Sequence, residues 1–163
     1  FKKATQNAIH DDRMTDREYA TRFLAFTELD YRKKYEGNID NFLIKALRLV
    51  NTYGDEEIAR IEVKFKNIMK YCTKIFDRFA FRKFNEDRRR GPINKALFEM
   101  WVVCFCELTT KQLDRIVNDR EYFLEQFGVL LQNKEFVSAL KAGDRYSTVR
   151  RIDMARNLVK EFL

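Results

Sequence analysis

Apolar residues recur at steps of three and four along most of the chain, and the interruptions mark where one helix gives way to the next. In "MTDREYATRFLAF", Thr15 suits an N-cap and Glu18 the third position of a capping box. Tyr19, Phe23 and Phe26 form one stripe, with Ala20, Leu24, Thr27 and Tyr31 beside it, which predicts a helix to about Tyr35 that stops at Gly37-Asn38. Ile39, Phe42, Leu43, Ala46, Leu47 and Val50 define the next helix, closed by Gly54, and Asp55 is expected to cap the one after it. That third helix has the longest repeat: Ile58, Ile61, Phe65, Ile68, Met69, Cys72, Ile75, Phe76 and Phe79.

The segment "RFAFRKFNEDRRRG" breaks the pattern and predicts a short helical turn followed by an exposed loop. Pro92 suits the first position of a new helix with Gly91 as its N-cap. Ile93, Ala96, Leu97, Met100, Trp101, Cys104 and Phe105 line one side of that helix, while Phe98, Val102, Val103 and Cys106 make the other side apolar too. A helix that is apolar nearly all round is wrapped by others, so this is the expected centre of the fold. Thr109 or Thr110 caps a further helix, and another spans about Asp119 to Leu131. "NKEFVSALKAG" reads as a short helix with Gly143 at C′. The last helix starts near Thr148, buries Val149, Ile152, Ala155, Val159 and Phe162, and turns Arg150, Arg151, Arg156 and Lys160 outward. The fold class expected is all-α: seven or eight helices in one bundle-like domain covering residues 1–163.

Composition agrees, since 5 glycines and 1 proline are too few for the many reversals of a strand-rich fold. The 15 phenylalanines predict an aromatic core. A net charge of +7 permits an anionic partner without requiring one. Cys72, Cys104 and Cys106 make an odd set with no disulfide framework, and with His10 the only histidine no zinc ligand set is apparent. Buried, reduced thiols in a cytoplasmic protein are expected. No apolar run approaches the roughly 20 residues of a membrane helix.

Phosphate-loop, dinucleotide-binding and zinc-protease motifs are absent from the sequence, and one histidine leaves no basis for a nucleophile–histidine triad. The acidic clusters Asp11-Asp12 and Asp55-Glu56-Glu57 sit at predicted helix starts, where the macrodipole favours acids. The isolated chain therefore reads as non-catalytic. Two basic regions could meet phosphate: the loop Arg88, Arg89 and Arg90, and the final-helix set Arg150, Arg151, Arg156 and Lys160. An ordinary solvated surface is the alternative for each. Arg22, within "RFLAF", and Asn94, at the start of the apolar helix, need polar partners, and Glu99 or a backbone carbonyl would serve.

Four blocks in order, "DRMTDREYATRFLAF", "GNIDNFL", "IFDRFAFRKF" and "INKALFEMW", resemble the helical C-terminal portion of bacterial GmrSD-type proteins, also catalogued as domain of unknown function 262. The resemblance covers roughly residues 1 to 105. It implies an upstream ParB/sulfiredoxin-like domain carrying a D-G-Q-Q-R motif, linked to nucleotide hydrolysis and DNA cleavage in restriction and anti-phage defence. "DGQQR" does not occur in this sequence, and a single histidine does not furnish the HNH nuclease of some members. With Phe1 in place of an initiating methionine, the chain is expected to be part of a longer protein. The resemblance thus implies a non-catalytic helical accessory domain with no cofactor of its own. Nucleotide and divalent metal would belong to a full-length protein. The expected partners are the upstream ParB-like domain and DNA, and a homodimer is the other expectation. Arg13, Arg22, Phe81, Arg82, Asn94 and Lys95 match the family's blocks, with packing or an edge of a composite site as their expected roles.

Overall fold

The computed structural model describes residues 1–9 and 14–163; His10, Asp11-Asp12 and Arg13 lie outside the described residues. In chain order the helices are α1 (Lys2–Thr5), α2 (Thr15–Glu28), α3 (Tyr31–Lys34), α4 (Ile39–Val50) and α5 (Asp55–Phe76). A 3-10 turn (Asp77–Phe79) leads into strands β1 (Arg82–Phe84) and β2 (Arg90–Ile93), and then come α6 (Lys95–Cys106), α7 (Thr110–Asn118), α8 (Arg120–Gln132), α9 (Lys134–Lys141) and α10 (Arg145–Lys160). The architecture is an all-α bundle, with one small antiparallel β-hairpin among the described residues.

Helix α6 is the centre of the bundle. Every residue from Leu97 to Phe105 is buried, and the helix packs against α2, α5, α9 and α10. Trp101 lies among Phe76, Phe105, Phe123 and Phe127, with ring centroids 5.0–5.6 Å away, so the aromatic core joins α5, α6 and α8. Such ring pairs add to the ordinary gain from apolar burial. The long stripe of α5 is buried at Ile61 and from Ile68 onward, with Phe65 half-buried between them, whereas Ile58 is 42% exposed. Among the described residues, no helix is long and apolar enough to cross a membrane.

Local chemistry moves several boundaries. Helix α2 ends at Glu28 rather than near Tyr35, because Asp30 starts a new helix by accepting the Arg32 N–H at 3.1 Å. Thr15 is the first helical residue and Met14, at φ 52°, holds the N-cap position. Glu18 does not close a capping box; its carboxylate is engaged by Arg22 and Lys95 instead. Asp55 is the first residue of α5, not its cap: Gly54 holds that position and donates its N–H to Glu57 at 2.7 Å. Gly143 does not adopt the left-handed conformation expected after α9; Ala142 ends that helix in extended geometry. Helix α10 begins a turn earlier than expected because Asp144 caps it, accepting the Ser147 N–H at 2.9 Å.

The largest correction lies at 82–94. The expected loop is a hairpin, and Pro92 sits in β2 instead of opening a helix. Asn85 closes the turn: its side chain accepts the Arg89 N–H at 2.8 Å and its N–H donates to the Arg89 carbonyl at 3.2 Å. Asn94, not Gly91, caps α6, accepting the Leu97 N–H at 3.0 Å while its own N–H donates to the Phe81 carbonyl at 2.8 Å. One asparagine therefore ends the hairpin and starts the central helix.

Candidate functional site

Two surfaces collect the polar chemistry of the chain. The first surrounds Glu99, a buried carboxylate on the central helix. Arg22 of α2 donates to one of its oxygens, and Arg151 of α10 donates to the other at 2.7 Å. Arg22 also donates to Glu18 at 2.7 Å through Nη2 and at 3.0 Å through Nε. Arg151 reaches the Ala139 and Ala142 carbonyls, each at 3.2 Å, so it ties α10 to the end of α9 as well. Burying these charges is tolerable only because each meets opposite charge or a carbonyl. Burial would lower the Arg22 pKa, but the Glu99 and Glu18 carboxylates more than offset it and raise it. Partial burial pushes Glu18 the other way, yet the bonds from Lys95 and Arg22 hold its carboxyl below the usual range.

This cluster borders a groove of about 490 Å³ between α2, the α3–α4 connection, the start of α6 and the α9–α10 connection. Tyr19, Tyr35 and Ile39 supply apolar surface, while Asn94, Lys95 and Lys141 bring polar groups. Gly37, at φ +91°, turns the chain along one wall. Burial pushes the Tyr19 phenol up to about 12.

The second surface is basic. Lys66, Lys70 and Lys74 follow one another at four-residue steps, so they share one face of α5. With Lys3 they surround a groove of about 350 Å³ whose apolar lining is Phe1, Ala4, Phe65 and Met69. Arg78, in the 3-10 turn that follows α5, donates to the Arg88 carbonyl at 3.1 Å. Arg90 donates back to the Arg78 carbonyl at 3.3 Å and also to the Gln6 side chain. The hairpin arginines therefore lie against the C-terminal end of the lysine row. Lys66 is paired with Glu62 at 2.5 Å and Arg88 with Glu121 at 3.5 Å, whereas Lys70, Lys74 and Arg89 have no ion-pair partner among the described residues.

The final helix departs from expectation. Arg151 does not face outward; it is 3% exposed, because it falls on the same stripe as Thr148, Ile152 and Ala155. Arg150 is bound to Glu135 at 2.5 Å, and Arg156 to Glu107 at 2.5 Å and Asp153 at 2.8 Å. Lys160 is exposed and makes no ion pair among the described residues. This helix is thus stitched to its neighbours by its arginines.

Of the residues matched to the family blocks, Arg22, Asn94 and Lys95 converge on the first groove. Arg82 does not join them; it is buried and donates to the Gly91 carbonyl at 2.8 Å, which braces the hairpin. Arg13 lies outside the described residues. Cys72 and Cys104 are buried and Cys106 is half-buried, all as free thiols. Among the described residues, no group of three or more His, Cys, Asp or Glu could hold a metal ion.

The lysine row has a sequence signal in its four-residue spacing, which the apolar stripe of α5 overshadows. Lys141 and Tyr35 carried no local signal, since they join the groove only through tertiary packing. A scan against protein-family models finds no match to this chain, and searches of curated proteins and of solved structures find none either.

Proposed function

We propose that this chain is a helical accessory domain of a bacterial DNA-targeting defence protein, bound to nucleic-acid phosphates through the surface formed by α1, the C-terminal half of α5 and the hairpin turn. The resemblance to GmrSD-type proteins supplies the context. The observation that carries phosphate contact is that the turn following α5 and its lysine row is hydrogen-bonded, at Arg78, to Arg88 and Arg90 of the hairpin. Lysines and arginines in such a row can follow a phosphate backbone without reading bases. Arg150, Arg151 and Arg156, which are occupied by acids of their own fold, are left out of the surface.

Binding of this kind is independent of sequence and driven by counterion release. A fluorescence-anisotropy titration against labelled duplex DNA tests it. About four phosphate contacts predict an affinity loss of about a hundredfold between about 50 and 200 mM salt. Absence of binding at the lower salt overturns the DNA role.

The groove between α1 and α5 favours a second reading, an interaction module. Its apolar lining of Phe1, Ala4, Phe65 and Met69 inside a lysine rim suits an acidic segment of an upstream domain or a second copy of the chain. Light scattering separates the readings, because a strict monomer that ignores the upstream domain contradicts this one.

A further inference from the structure

We propose that the groove beside Glu99 binds a small phosphomonoester, with its phosphoryl group at the N-terminus of α6 between Lys95 and Lys141. Among the described residues, four cations, Arg22, Lys95, Lys141 and Arg151, line this groove, with Glu99 as the only lining carboxylate. Both oxygens of Glu99 are taken by Arg22 and Arg151, and Glu18 is taken by Arg22 and Lys95. Counting both acids, two positive charges remain in excess, which matches a dianion. A phosphomonoester carries nearly that charge at neutral pH.

Three further features point to an anion. The backbone N–H groups of Lys95 and Ala96, in the first turn of α6, have no partner within the described chain, and both residues line the groove. Such orphan donors at a helix start favour negative charge. Arg151, only 3% exposed, also lines the groove, and its buried Nε has no hydrogen-bond partner among the described residues. Burial, and after it the Lys141 ammonium, lowers the pKa of Lys83, which lies outside the groove lining, and neither lysine has an ion-pair partner among the described residues. Ammonium groups without a carboxylate partner leave a local field that an anion would neutralise.

The remaining lining suits the organic part of the ligand. Tyr19, Tyr35, Ile39, Ile93 and Leu140 offer apolar surface, and a volume of about 490 Å³ is in the range of small-molecule sites. The acids and cations of the cluster hold one another in place, so the site is organised before a ligand arrives.

Isothermal titration of the chain with phenyl phosphate tests the proposal, with phenol and inorganic phosphate as comparisons. One saturable site per chain is expected, tighter for phenyl phosphate than for either comparison. Lys141→Ala, at an exposed position without an ion pair among the described residues, should weaken it about tenfold, and Lys95→Gln by a similar factor. Lys74→Ala, on the other surface, should leave it unchanged. Lack of saturable binding at millimolar phenyl phosphate, or binding indifferent to both Lys141→Ala and Lys95→Gln, overturns the proposal. Equal affinity for inorganic phosphate overturns the assignment to a phosphomonoester.

Discussion

Arg151 Nη2 stands 2.7 Å from Glu99 Oε2, and this buried pair locks the last helix of the chain to its central one. Arg22 holds the other oxygen of Glu99, so three helices meet at a single carboxylate. The strength of the arrangement depends on its being complete. Replacing Glu99 by leucine leaves Arg22 with Glu18 alone and Arg151 with only the Ala139 and Ala142 carbonyls, and removing one partner of a buried pair costs about 3–5 kcal/mol. Glu99→Leu should lower the urea midpoint accordingly, and Glu99→Gln, which keeps an acceptor oxygen, should lower it less. A change below about 1 kcal/mol for Glu99→Leu would show that the cluster does not hold the helices together.

Asn94 performs two tasks with two groups, capping α6 through its side chain and closing the hairpin through its N–H. Only the first is lost in Asn94→Ala, which should destabilise the protein by about 1 kcal/mol. Asn94→Asp keeps an acceptor and adds a favourable charge at the helix start, so it should fold nearly as well as the native chain. Chemical denaturation of the two variants side by side checks this.

Tyr19 gives the alkaline limb of the stability curve a specific sign. Its phenol stays protonated in the fold up to about 12, whereas an unfolded tyrosine ionises near 10. A raised pKa in the folded state means that the Tyr19 contribution is fully present below about 10 and is lost between there and about 12. Tyr19→Phe should therefore flatten the fall in stability over that interval. An unchanged slope would mean that Tyr19 is not the group responsible.

The three thiols should be silent in the native protein. Burial pushes Cys72 and Cys104 well above the ordinary thiol range and Cys106 up to about 12, so little thiolate exists at pH 8. A thiol reagent should label slowly under native conditions and then react with all three on unfolding. Rapid native labelling at any one of them contradicts the packing around it.

Much of this architecture was legible from periodicity alone. A helix with apolar residues on every side, as in Leu97 to Phe105, can be stable only when other helices cover it, and α6 is covered in that way. The need of Arg22 for a partner was legible too, and Glu99 meets it. The hairpin was not. Its strands of three and four residues are too short to display alternation, Asn85 reads equally well as a loop residue, and Asn94 reads as the start of the helix that follows. Arg151 shows the opposite failure: its charge suggested solvent, although its spacing from Thr148 and Ala155 put it on the buried stripe. The groove was beyond reach of local reading, because residues near positions 19–22, 35–39, 93–99 and 140–151 meet there only after the chain has folded.

The phosphate-binding surface is tested most directly by a pair of variants in one DNA titration at low salt. In the first, Lys70, Lys74 and Arg89 are replaced by alanine, removing exposed cations that have no ion-pair partner among the described residues. In the second, Arg150 and Lys160 are replaced on the last helix. The first should lose most of its affinity and lower the salt slope by about 3, a little under one unit for each phosphate contact removed. The second should bind nearly as the native chain does. Native affinity in the triple variant, or its loss in the double variant, would contradict the assignment of DNA contact to the α5 and hairpin surface.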